Sequence, residues 1–295
     1  MKSKPNRLIL ILIIMTMLFP YGTATSQTSK ITAEQLIERI KKHTGVHWNQ
    51  QTVDVFKAGS PDVPVTGVVC TMFATYDVLR KAVAEGKNLI ITHEPTFYNH
   101  LDNTADMEKA GDDVLAEKKA YIEKHGLVIW RFHDHWHMRN PDGIMEGMVK
   151  ELQWEKYQAP GKEGMFTLPA TNIDALAREL SKKLGISTIS IIGRPGMTCT
   201  HVALMPGAPG STGQISMLER KDVEVLLIGE SPEWETASYV RDAAAEGKNK
   251  ALIVLGHVPS EEAGMKECAR WLKTFVTEAP VEFIPAGESY RPVQQ

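Results

Sequence analysis

Residues 65–98 read VTGVVCTMFATYDVLRKAVAEGKNLIITHEPTFY. The first eight, VTGVVCTM, form a β-branched apolar run suited to a buried strand. TYDVLRKAVAEGKN (75–88) reads as a helix stopped by Gly86, and LIITHEPTFY (89–98) as a strand ending in polar residues. A strand–helix–strand unit is the building block of a parallel sheet, and this stretch sets the fold class as α/β.

The same grammar extends in both directions. Upstream, KITAEQLIERIKKH (30–43) opens with Thr32 and Gln35 spaced as a capping box, and Ile31 and Leu36 spaced as a hydrophobic staple. Downstream, a charged helix from Ala110 to His125 closes at Gly126 and leads into the strand LVIWRF (127–132). The second half repeats the alternation. NIDALARELSKKLG (172–185) is a helix, and TISIIG (188–193) and HVALMPG (201–207) are strands. GAPGSTGQISML (207–218) is a glycine-rich turn into a helix, followed by the strand VEVLLIGE (223–230) and the helix ASYVRDAAAEGKN (237–249). KALIVLGHVPSEE (250–262) is a strand opening into a helix, and VEFIPAG (281–287) is the last strand.

Two echoes run through the chain: AVAEGKNLIITHEP from Ala82 resembles AAAEGKNKALIVLGHVP from Ala243, and LIITHEPTF resembles LLIGESPEW. Internal duplication and shared helix-stop vocabulary both account for them. QAPGKEGMFTLPA (158–170) is the best internal boundary. This divides the chain into a first α/β lobe over 27–160, completed by 250–295, and a second lobe over 161–249.

Residues 1–26 stand apart. Lys2, Lys4 and Arg7 precede the apolar run LILILIIMTMLF (8–19), and Ala24 and Ser26 suit a signal-peptidase site. The pattern reads as a secretory signal, too short to span a bilayer comfortably, with an uncleaved anchor as the competing reading. The expected location is periplasmic or secreted, with no stable membrane anchor after cleavage. Removing three basic and no acidic side chains takes the net charge from −3 to −6. With no basic stripe to follow a phosphate backbone, nucleic acid is excluded as a partner. Hydrophobic residues at 43% and charged residues at 23% are ordinary for a globular chain. Cys70, Cys199 and Cys268 are far apart and odd in number, and read as buried free thiols.

Three places combine histidine with carboxylates at the ends of expected strands, where open α/β sheets gather ligands. His93-Glu94-Pro95 follows LIIT, and Pro95 forces an extended exit that ends the strand. HDHWH (133–137) follows VIWRF; in an extended segment His133, His135 and His137 would share one face, with Trp136 shielding them. In GHVPSEE (256–262), His257 and Glu261 are four apart across a strand-to-helix turn. Imidazoles and carboxylates from three strand ends are how a protein builds a site for two divalent ions, zinc, iron or manganese.

These motifs, in this order with PGAPGSTGQISML and VEVLLIGE, resemble the Nif-three-like dinuclear-metal-centre proteins. The resemblance runs from about Thr32 to Phe283, and its most specific piece is Gly-His-x-x-Ser/Thr-Glu, matched by Gly256, His257, Ser260 and Glu261. It implies two related α/β lobes with mixed sheets enclosing a dinuclear metal site, and a homo-oligomer, often a toroidal hexamer. Relatives carry His-His-Pro in the first motif and His-Thr-x-x-Asp in the second; here a usual His has become Glu94 and a usual Asp has become His137. The two changes compensate, since His93, Glu94, His137, His257 and Glu261 again give three imidazoles and two carboxylates. His133 is an added ligand or a supporting donor, and Asp134 or His135 orients a ligating ring.

The function expected is an exported metal-dependent hydrolase of a small-molecule substrate, with Glu94 or Asp134 moving the proton. Some relatives bear the name GTP cyclohydrolase, which fits poorly here: an exported protein meets little GTP, and GAPGSTG lacks the lysine of a phosphate-binding loop. A non-catalytic metal-binding or metal-delivery protein uses the same ligands and is the alternative. A metallo-β-lactamase-like hydrolase is the weakest, because Trp136-His137 does not supply the Asp-His pair that motif needs.

Overall fold

The structure is a computed structural model and describes residues 30–293; the expected signal segment lies outside them. In chain order the elements are α1 (Ala33–Thr44), β1 (Phe56–Ala58), β2 (Val68–Thr71), α2 (Tyr76–Ala84), β3 (Leu89–Thr92), α3 (Ala105–Ala110), α4 (Asp113–Lys124) and β4 (Val128–Arg131). They continue with α5 (Asp134–His137), α6 (Gly143–Leu152), β5 (Met165–Asn172), α7 (Ile173–Leu184), β6 (Ser190–Ile192), β7 (Thr198–Met205) and α8 (Ser211–Glu219). β8 (Val225–Ile228), α9 (Ser238–Ala245), β9 (Ala251–Val254), α10 (His257–Leu272) and β10 (Val281–Phe283) complete the fold. The capping box at Thr32 is formed, its hydroxyl accepting from Gln35 N and the Gln35 side chain accepting from Thr32 N.

The elements make two mixed five-stranded sheets. The first has the order β1-β4-β3-β2-β10, parallel except for β1, and the second β5-β7-β8-β9-β6, parallel only across β7, β8 and β9. Strands β2, β3 and β4 are buried along their whole length because helices cover both faces. Val68, Cys70, Leu89 and Ile91 face Leu36 and Ile40 of α1 and Met265 and Leu272 of α10. The alternate residues Val69, Ile90 and Ile129 face Val78 of α2 and Leu115 and Ile122 of α4. The second sheet is sandwiched likewise, with Leu176 and Leu180 of α7 on one face and Leu218 of α8 and Val240 of α9 on the other.

Helix α10 ties the sheets together, leaving the end of β9 in the second sheet and packing on the first. Its partner is α6, and glycines set their closeness. A Cβ on Gly147 would stand 2.3 Å from Ala263 O, and one on Gly264 would stand 2.5 Å from Ile144 Cα. Among the described residues no helix is long and apolar enough to cross a membrane. All three cysteines are free and buried.

Several expectations need correction. The boundary stretch 158–170 runs into a strand not expected from the sequence, since β5 starts at Met165 and pairs antiparallel with β7. Its outer positions are exposed and it contains Pro169, as an edge strand allows, so its apolar signal is thin. Strand β9 lies in the second sheet, so the chain returns to the first sheet through α10 rather than at residue 250. The charged helix starts at Asp113, capped by Asp112, and a separate short helix, α3, precedes it and ends at Ala110 before Gly111. The histidine cluster is not extended: residues 134–137 form a single helical turn.

Candidate metal centre

Parallel strands place their carboxyl ends on one edge, and here the edges of both sheets converge. His93 and Glu94 follow β3, His133–His137 follow β4, and His257 and Glu261 open α10 after β9. The helical turn at 134–137 decides which histidines of HDHWH take part. Residues four apart share a helix face, so His133 and His137 point together and His135 points away. Asp54, buried at 2% exposure, holds this turn by accepting from the backbone N–H groups of His133, Asp134 and His135.

His93, His133 and His137 cluster with ring centroids 4.6 to 5.0 Å apart. Glu261 stands 3.7 Å from His93 Nε2, 4.0 Å from His137 Nε2 and 3.1 Å from His257 Nε2. Glu94 Oε1 stands 3.3 Å from His257 Nε2 and 3.8 Å from His133 Nε2. Each carboxylate thus sits between imidazoles, and His93 belongs to two overlapping groups, one with His133 and His137 and one with Glu94 and Glu261. All six residues expected as metal ligands are brought together.

The second ring nitrogens explain the orientation. His93 Nδ1 donates to Phe132 O at 3.1 Å, His133 Nδ1 to Asp134 at 2.9 Å, His137 Nδ1 to Asp142 at 2.8 Å and His257 Nδ1 to Glu230 at 3.0 Å. This network assigns the Nδ1 protons and turns all four Nε2 atoms inward, as outer-sphere partners do for ligating histidines. His93 Nε2 is fully buried and has no hydrogen-bond partner. An unmet buried lone pair costs about 1–3 kcal/mol, and a cation on that lone pair removes the cost. The donor set therefore fits a divalent metal.

Glu94 is fixed from behind. Arg131, fully buried, donates through Nη2 to Glu94 Oε2 at 3.1 Å, through Nε to His93 O at 3.0 Å and through Nη1 to His100 O at 2.6 Å. Burial raises the Glu94 pKa, but His257, His133 and Arg131 together outweigh it and hold the carboxyl below its usual range. Burial lowers the His257 pKa, yet Glu261 and Glu94 overcome it and lift the value to about 11. His137 is likewise raised, burial opposing and Asp142 prevailing. His93 is pushed well down by burial, assisted by its histidine neighbours.

Two expected roles change. Asp134 uses one oxygen on His133 Nδ1 and the other on Thr52 Oγ1 and Val53 N, at 2.7 and 3.2 Å. Those bonds outweigh its burial and hold its pKa down at about 2, so it orients His133 and is a weak base for a proton near neutral pH. His135 is buried and satisfied on both nitrogens, by Asp54 at 2.7 Å and Asn49 N at 2.9 Å, and it stacks on Trp48 at 3.6 Å. It shapes the turn and stays out of the cluster.

Five contributors escaped sequence reasoning: Arg131, Asp142, Glu230, Asp54 and Gly207. Arg131 left one signal, a charge inside an otherwise apolar strand, which requires a buried acceptor. Gly207 matters because a Cβ there would stand 2.2 Å from Glu261 Oε1, and its φ of +67° suits glycine. Ser260 braces the same corner, accepting from Gly207 N at 2.9 Å and donating to His257 O at 2.7 Å. The glycine-rich turn is thus structural, making room for a carboxylate.

Comparison with known proteins agrees with this architecture. Residues 31–289 match the family described as Duf34/NIF3 (NGG1p interacting factor 3). A relative from Mycoplasmopsis pulmonis, named GTP cyclohydrolase 1 type 2 homolog, is 23% identical over 200 residues, covering 67% of this chain and 74% of its own. A Bacillus cereus protein related to NIF3 superimposes with a TM-score of 0.68 at 11% identity, over 90% of this chain and 99% of that one. Staphylococcus aureus protein SA1388 superimposes with a TM-score of 0.64 at 14% identity over the same shares. These structural likenesses carry the fold.

Proposed function

The chain belongs to the Duf34/NIF3 family, and from that premise we propose that it is an exported protein that holds two divalent metal ions and hydrolyses a small substrate at them. The observation that carries this reading is the convergence of four inward-facing Nε2 atoms on two carboxylates, with His93 Nε2 buried and unpartnered. Six donors exceed the three or four protein ligands one zinc ion takes, and they suit two ions of zinc, iron or manganese.

His93, His133, His137, His257, Glu94 and Glu261 would hold the metal. Bound divalent ions supply Lewis acidity and make water a stronger acid at neutral pH. The residues around them prepare the site. Arg131 fixes Glu94 so that Oε1 faces His257 and His133, placing one carboxylate oxygen where it can both ligate and accept a proton. Asp134, Asp142 and Glu230 lock three imidazoles, and the Phe132 carbonyl locks the fourth. Glu261, on the same helix as His257, faces His93 and His137 as well.

Export rests on the sequence of residues 1–26, and assembly as a homo-oligomer, a hexamer by resemblance, rests on the family. N-terminal sequencing of the periplasmic fraction and sedimentation of the mature protein test them. The activity is tested by assaying the metal-loaded mature protein on phosphoesters and cyclic amides, with chelation and reloading. Turnover that disappears with chelator and returns with metal supports a hydrolase. Tight metal binding with no turnover on either class leaves a metal-binding or metal-delivery protein.

A further inference from the structure

A cavity of about 590 Å³ opens beside the metal centre, with Glu94 and His257 at one end and Lys118 among its walls. Phe73, Tyr76 and Tyr98 give it aromatic sides. Lys118 is unusual for a lysine in being only 5% exposed. Its Nζ donates to Thr96 O at 2.6 Å and lies 5.2 Å from the centre of the Tyr98 ring.

Among the described residues no carboxylate pairs with Lys118. Asp102 is committed elsewhere: Oδ1 accepts from Thr96 N and Phe97 N, both at 2.7 Å, and Oδ2 faces Lys57 Nζ at 3.2 Å. A buried ammonium with one carbonyl acceptor, an aromatic face and no carboxylate in ion-pair contact keeps donors unmet, an arrangement that favours an incoming anion. Burial accordingly pushes its pKa down to about 8, despite the nearby charge of Asp102.

We propose that Lys118 is the anion anchor of a substrate site continuous with the metal centre, and that the substrate is a small organic anion. Its carboxylate or phosphate-type group would meet Lys118, its flat or apolar body would lie against the aromatic walls, and its hydrolysable bond would reach Glu94 and His257. The substrate assignment rests on the metal-dependent hydrolase reading, whereas the anion site itself does not.

Calorimetric titration with benzoate and with phenylphosphonate tests it on metal-free and metal-loaded protein, wild type and K118M, with metal content measured alongside. The two probes separate a carboxylate from a phosphate-type ligand. At least one should bind wild type, and K118M should weaken it about tenfold or more in both metal states, as expected for losing a charge-assisted hydrogen bond. Equal binding in wild type and K118M, or binding of neither probe, overturns the anchor. If K118M does not fold, the wild-type Lys118 Cε NMR signal decides: at least one of the two probes must shift it, and a signal unmoved by both overturns the proposal. Lysine-dependent binding in a protein that takes up no metal would sink the metal centre alone.

Discussion

His257 Nε2 stands 3.3 Å from Glu94 Oε1, joining the strand end of one sheet to that of the other. His257 follows β9 of the second sheet, while Glu94 follows β3 of the first, so the cluster exists only when both lobes are in place. Metal bound there would bridge the lobes, linking occupancy to stability.

Asp142→Asn isolates the outer support of one ligand. Asn caps a helix as well as Asp, so α6 keeps its start while His137 Nδ1 loses its charged acceptor. Metal affinity should fall about 10- to 100-fold with little change in the melting temperature of the metal-free protein. Competition with a fluorescent chelator and a thermal melt check the two halves.

His135→Gln separates the structural histidine from its neighbours. Loss of the bonds to Asp54 and Asn49 and of the stack on Trp48 should cost about 1–3 kcal/mol in urea unfolding. Metal stoichiometry should be unchanged. A lost ion would return His135 to the ligand set.

Protons should leave when metal enters. At pH 7 the metal-free protein carries a proton on His257 Nε2, whose pKa is lifted to about 11, and a share of one on His137, whereas His93 is neutral. Metal binding should therefore release about one to two protons, read as a dependence of the calorimetric heat on HEPES against Tris buffer. Stability of the metal-free protein follows from the same groups. His257 has its folded value above its ordinary value of about 6.5, so its contribution is full below that pH and fades as pH rises towards about 11. His93 is lowered, so its contribution is lost as pH falls below about 6.5. The metal-free melting temperature should decline in both directions from neutrality.

Much of this was readable in the chain because it rested on local rules. The buried runs VVCT, LIIT and VIWR could only be central strands, and the polar residues after them had to lie at one sheet edge. His257 and Glu261 were legible as a pair because four residues along a helix bring side chains to one face. Helix α6 was missed because Gly143 and Gly147 weaken its helical pattern, and their purpose, contact with Trp136 and α10, is tertiary. The inward turn of His133 and His137 was hidden for a similar reason. It depends on Asp54 gathering three backbone N–H groups from about eighty residues away. Arg131 and Glu230 meet partners 37 and 27 residues away, and Asp142 meets His137 across the turn between α5 and α6, none of which periodicity registers.

Residues that follow strands of both sheets would together hold one metal centre. Elemental analysis of the purified mature protein, wild type beside His257→Ala and Glu94→Ala, decides whether they do. About two divalent ions per wild-type chain are predicted, with loss of metal in both variants although their substitutions follow strands of different sheets. Full stoichiometry retained in His257→Ala would contradict the shared centre.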